Sequence, residues 1–174
     1  CLISPNDFNS FFVECPSMMK ADLHHCNKTA HDLLLKKSKP NIEFHRNEVT
    51  SDEVFRCVRG LKNSKTKDIY DISNNLVKEI IPFILHPLTI CFNNCLATCK
   101  FPTALKISRV TPIYKKGSKE DPSNYRPISI ISVSATIFEK LMKKQFADFI
   151  ERNNILYSNQ FGFRSERNTT DSVV

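Results

Sequence analysis

The chain has 174 residues, 41% hydrophobic and 25% charged, with Lys plus Arg 25 against Asp plus Glu 18 and a formal net charge of +7. That composition excludes a disordered tail and suits one domain of ordinary size or two small lobes. The longest apolar stretch, Ile80 to Phe92, contains Pro82, His86 and Pro87. It falls short of the roughly 20 residues a membrane helix needs, so neither a transmembrane segment nor a membrane partner is expected.

In chain order, Phe8, Phe11 and Phe12, then Leu23 and Leu33 to Leu35, stand among polar residues over 6–37. Their spacing predicts two amphipathic helices, with Pro16 as the main breaker. Ser38 to Asn41 reads as a connection. Thr50 followed by Glu53 is a capping-box opening for a short helix over 51–62. Ser73 caps a further turn through Leu76, Val77, Ile80 and Ile81, which Pro82 should interrupt or restart. A longer apolar helix then runs from Phe83 to Cys99, ended by Lys100, Phe101 and Pro102.

Beyond Lys106 the period changes. Ile107, Val110 and Ile113 form one β-prone run, with Pro112 arguing for a sheet edge, and Ile128, Ile130 and Ile131 form a second. The Gly, Pro and Asn chemistry of residues 114–127 makes a turn of the intervening segment, so the two runs read as a hairpin with a long basic loop. Phe138, Leu141, Met142, Phe149 and Ile150 mark a last helix of about 134–152 with a core-facing stripe. The fold class is therefore α+β, mostly helical with a small antiparallel hairpin.

The positive surplus is local. Residues 1–50 carry six basic and six acidic side chains, residues 51–99 six and five, and residues 100–174 thirteen and seven. A basic excess confined to one part of a fold is the footprint of a phosphate-binding surface, or else a solvated basic face. Two ammonium groups, Lys115 and Lys116, lie on one hairpin arm and the Arg126 guanidinium on the other, where they can face one polyphosphate. The alternative is a hairpin whose charges keep an edge strand soluble.

Seven cysteines, at positions 1, 15, 26, 57, 91, 95 and 99, form no disulfide framework and suit a reducing intracellular compartment, nucleus or cytoplasm. Cys91, Cys95 and Cys99 would share one helix face as small buried hydrophobes. His24, His25, Cys26 and His31 have helix-turn spacing but no second half-site, so no metal site is expected.

Several words occur in a telling order: Phe101-Pro102-Thr103-Ala104-Leu105-Lys106, Val110-Thr111-Pro112-Ile113-Tyr114-Lys115-Lys116-Gly117, and Asn124-Tyr125-Arg126-Pro127-Ile128-Ser129. Downstream stand Phe138-Glu139-Lys140, Gln160-Phe161-Gly162-Phe163-Arg164 and Thr169-Thr170; upstream stand Leu61-Lys62 to Lys65 and Asp68-Ile69-Tyr70-Asp71-Ile72-Ser73. Together they resemble the reverse transcriptases of non-LTR retrotransposons, most closely the jockey-like elements, over about residues 49–174. The Asn6-to-Val13 opening is similar to the segment joining endonuclease to polymerase in such elements.

The resemblance implies a helical N-terminal extension over 1–48 and, over 49–174, the fingers of a right-hand RNA-directed DNA polymerase, with palm and thumb elsewhere. It implies that one of Lys115 and Lys116, together with Arg126, contacts the deoxynucleotide triphosphate. Gln160, Gly162, Phe163 and Arg164 would lie near the template and the nucleotide pocket. RNA template and DNA primer are the implied partners, and Mg2+ the cofactor of the intact enzyme. Asp71 departs from the family, which more often has Gly there.

Polymerase metal ions need converging carboxylates, and the chain contains no Asp-Asp dipeptide. No catalytic or metal-binding residue is therefore assigned, and Asp171 reads as a surface or capping carboxylate. The chain opens on Cys1 and closes in an incipient helix at Thr169 to Val174, so it reads as a piece of a longer protein, inactive alone. The alternative is a non-catalytic nucleic-acid-binding module or an inactive retrotransposon relic.

Overall fold

The computed structural model describes residues 3–21, 42–156, 160, 162, 164 and 170. Within them, four α-helices and two strands follow one another: α1 (Pro5–Ala21), α2 (Ser51–Arg59), α3 (Asn74–Thr98), β1 (Ser108–Tyr114), β2 (Tyr125–Ile131) and α4 (Val133–Arg152). The α+β class is as expected, with a two-stranded antiparallel sheet. The second N-terminal helix and the His24, His25, Cys26 and His31 group lie outside the described residues.

Helix α1 starts where Ser4 and Asp7 cap each other: the Ser4 N–H donates to Asp7 Oδ2 at 3.0 Å and the Asp7 N–H donates to Ser4 Oγ at 3.2 Å. Pro5, the first helical residue, loses no hydrogen bond there. Pro16 does not end the helix. Phe8, Phe11, Phe12 and Cys15 are half-buried on one stripe.

Helix α2 has the expected capping box, with the Thr50 N–H donating to Glu53 Oε2 at 3.0 Å and the Glu53 N–H donating to Thr50 Oγ1 at 3.2 Å. It ends at Arg59, three residues before the expected limit, because the chain turns at Gly60. The Thr50 backbone N–H holds the Glu53 carboxyl below the usual carboxylate range, aided by Lys144 at 3.6 Å. A depressed folded-state pKa means that Glu53 stabilises fully above its unfolded-state pKa, and that this contribution disappears as pH falls through the folded value. Glu53→Gln should therefore cost under about 1 kcal/mol at pH 7, since the group is partly exposed. Its urea midpoint should converge on the wild type as pH falls below the folded-state value; a gap that stays equal throughout an acid titration would contradict the linkage.

Helix α3 corrects the expectation of a break at Pro82. It runs unbroken from Asn74 to Thr98 through both Pro82 and Pro87. Both prolines are exposed, so water can bond the carbonyls they leave unpaired. The opposite face is anchored on both sides of them by Val77, Ile81, Phe92 and Leu96, all buried. Continuity also makes α3 long and apolar enough to cross a membrane by length and composition, where the sequence predicts an apolar stretch too short for that. Its buried face belongs to the core it shares with α2 and α4. Cys91 and Cys99 are exposed and Cys95 half-buried, not the buried row expected, because the helix turns that stripe to the edge of the core. Cys99 closes the helix in the left-handed region, with φ 56°.

The core gathers Val49, Val54, Val58, Leu61, Val77, Ile81, Phe92, Leu96, Val133, Ile137 and Leu141. The segment before α2 is tied to it by side-chain amides. Asn93 accepts from the Val49 N–H at 2.8 Å and donates to the Val49 carbonyl at 3.0 Å; Gln145 does the same for Asn47 at 3.0 and 2.8 Å.

Candidate nucleotide-binding ribbon

Strands β1 and β2 pair in a register that sets Arg109 opposite Ile130, Thr111 opposite Ile128, Ile113 opposite Arg126 and Tyr114 opposite Tyr125. The Lys115 N–H extends the ladder, donating to the Asn124 carbonyl at 2.8 Å. Opposed residues share a face and alternate along the strands. One face therefore carries Arg109, Thr111, Ile113 and Lys115 with Arg126, Ile128 and Ile130. The other carries Val110, Pro112 and Tyr114 with Tyr125, Pro127 and Ser129. Because the Lys115–Asn124 pair is hydrogen-bonded, the facing Pro112 and Pro127 fall at a non-hydrogen-bonded pair. Their missing N–H groups would have pointed away from the partner strand, so two prolines cost the ladder nothing and block both edges against further strands.

Lys115 is thus the diagonal cross-strand neighbour of Arg126, a spacing of about 7–8 Å that two long cationic side chains bridge easily. Lys116 stands at a bend where strand alternation no longer assigns it a face. All three side chains are exposed, and among the described residues none of the three is held by an ion pair or hydrogen bond.

The loop that carries the lysines is closely built. Gly117 sits at φ 93°, and a Cβ there would lie 2.6 Å from Asn124 Oδ1, so only glycine fits. Asn124 in turn donates to the Ser118 carbonyl at 3.0 Å. The Tyr114 hydroxyl donates to the Gly117 carbonyl at 2.6 Å and the Tyr125 hydroxyl to the Lys119 carbonyl at 3.0 Å. Asp121 accepts from the Ser123 N–H at 2.8 Å, starting the single 3-10 turn that leads into β2.

At its base the ribbon is anchored to the loop before α3. The Arg109 guanidinium donates to the Lys67 carbonyl at 2.7 Å, and the Tyr70 hydroxyl to the Ala104 carbonyl at 2.5 Å. Asp68, 3% exposed, organises that loop. Its Oδ1 accepts from the Tyr70 and Ile72 N–H groups at 2.8 and 3.1 Å, and its Oδ2 from the Val133 N–H at the start of α4 at 2.9 Å. In the sequence Asp68 opens one of the words that carry the resemblance and has no assigned role; its one local signal is an aspartate opening a turn-forming run. Asp71, where the resemblance more often has Gly, has φ 60°, the left-handed conformation glycine adopts without steric cost.

The remaining expected positions are farther along the chain. Gln160 is exposed, and a Cβ added at Gly162, which is half-buried, would meet open space. Arg164 forks the Glu151 carboxylate at 3.2 and 2.8 Å and is 14% exposed, which commits its guanidinium to α4. Phe163 lies outside the described residues. No three His, Cys, Asp or Glu side chains converge as a metal site among the described residues. Burial pushes the Cys57 and Cys95 thiols up, and neither is an activated nucleophile.

No protein-family model matches the chain. It is 28% identical over 123 residues, 70% of its length, to a Drosophila melanogaster protein described as "Probable RNA-directed DNA polymerase from transposon BS". It is also 28% identical over 122 residues to the corresponding protein of the Drosophila X-element, described in the same words. A third match, 28% over 122 residues, is to a protein of the Drosophila type-1 retrotransposable element R1DM. The matched stretches are 14%, 13% and 12% of those proteins, so the chain spans a small part of the curated relatives it matches. The chain is similar to one short region of these Drosophila retrotransposon proteins, two of them described as RNA-directed DNA polymerases.

Proposed function

We propose that this chain is the fingers region of an RNA-directed DNA polymerase and that its ribbon receives the incoming deoxynucleotide triphosphate. The observation that carries the reading is the register, which puts Lys115 and Arg126 on one ribbon face with no partner for either among the described residues. The guanidinium would fork two phosphate oxygens and the ammonium would add a compact charge beside it. Lys115 takes this role in preference to Lys116, because strand alternation aligns it with Arg126. The basic surface would grip RNA template and DNA primer through their phosphates. Metal-dependent bond formation falls to parts of the protein other than these residues, so the chain by itself should extend no primer in the presence of magnesium.

Calorimetric titration with dATP tests the site, and titration with a labelled RNA–DNA duplex at several salt concentrations tests the surface. Arg126→Ala and Lys115→Ala should each raise the dATP Kd about tenfold or more, the loss of one charge-assisted contact of about 1.5–3 kcal/mol. Lys116→Ala should do less. Duplex affinity should fall as salt rises. Equal dATP affinity in wild type and both variants would remove the triphosphate site.

A further inference from the structure

We propose that α1 is a brace for the ribbon and that Phe8 is a positioning residue for Lys115 and Arg126, a role that depends on the triphosphate reading above. The ribbon has only two strands and would be marginal by itself. Its cationic face is anchored only at the base, through Arg109, and is open around Lys115 and Arg126, so rigidity at that end has to come from the other face. There the Phe8 ring meets Tyr125 edge-on, with centroids 4.8 Å apart and planes at 71°, and Phe12 stacks behind Phe8 at 5.8 Å. Tyr125 meets Tyr114 across the strands at 5.5 Å, and the Lys119 ammonium lies 5.8 Å from the Tyr114 ring. Both tyrosine hydroxyls end on loop carbonyls, Tyr114 on Gly117 and Tyr125 on Lys119.

A continuous set of contacts thus leads from the capped first turns of α1 to the two ends of the segment that carries Lys115 and Lys116. Edge-to-face aromatic pairs favour defined angles, so each ring restricts the next. A loop held in this way presents its cations already ordered and loses less entropy when a polyanion binds. None of these residues belongs to the core shared by α2, α3 and α4. The brace can therefore be removed without unfolding the domain.

The test is Phe8→Ala in the full chain, with Met19→Ala, on an exposed part of the same helix, as control. Amide hydrogen exchange should show the ribbon amides, Lys115 included, losing about tenfold or more in protection while the amides of α2 and α4 keep theirs. The dATP Kd should rise about tenfold. Phe8→Tyr should restore both readouts, and Tyr125→Phe, which keeps the ring and removes one latch, should give an intermediate loss. Unchanged ribbon exchange in Phe8→Ala would overturn the brace. Faster exchange with an unchanged dATP Kd would overturn the positioning role. A wild-type chain that binds no dATP would defeat the triphosphate site and with it the positioning role, while the exchange measurement would still decide the brace.

Discussion

Asp68→Asn should lower the stability of the domain by about 3–5 kcal/mol, although it changes a single atom. The asparagine oxygen can keep the bonds from Tyr70 and Ile72 to Oδ1. Its amide nitrogen must then face the Val133 N–H, which now donates to Oδ2 at 2.9 Å in a fully enclosed contact. A donor opposed to a donor loses a bond to a charged group, about 1.5–3 kcal/mol, and strands a buried N–H at about 1–3 kcal/mol more. The negative charge also leaves the N-terminus of α4, where it was favourable. Flipping the amide only moves the conflict to the two other N–H groups. Urea unfolding at pH 7 measures the loss; a midpoint within error of the wild type would show that the carboxylate is not what joins this loop to α4. The same loop supplies the Lys67 carbonyl to Arg109, so the ribbon amides should lose protection along with the core.

The second large effect is expected at Ile81, which is 0% exposed and directly precedes Pro82. Ile81→Ala removes a buried side chain from the junction of α2, α3 and α4, and such truncations cost about 2–5 kcal/mol according to how far the site collapses. The upper half of that range applies here, because this contact also holds α3 to the core directly beside an interior proline. Pro82→Ala in the same background should recover part of the loss by returning a backbone hydrogen bond and removing the ring clash. Denaturation midpoints of the single and double variants measure both. No recovery in the double variant would mean that the proline is neutral in this helix.

The Pro82 and Asp68 cases mark where local reading ends. Helix starts at Ser73 and Thr50 were legible because a capping side chain and the backbone it bonds are three residues apart. The ribbon was legible because β-branched runs flank turn chemistry. Its face assignments were not: which lysine accompanies Arg126 depends on register, and register emerges from the Lys115–Asn124 bond and the latched loop together. The brace was likewise hidden, since Phe8 and Tyr125 are distant in sequence and neither has a local reason to seek the other. Arg164 was readable as a cation, but its commitment to Glu151 was not.

By itself, the sequence determined the α+β class, the caps, the hairpin, the place of the positive surplus and the likeness to a region of retrotransposon RNA-directed DNA polymerases, because each is written in neighbouring residues or in the order of short words. The tertiary structure alone decided that α3 continues through two prolines, that a buried aspartate ties a loop to α4, and that aromatic rings back the cationic face. In each case a local preference was outweighed by burial or by hydrogen bonds made between residues far apart in the chain.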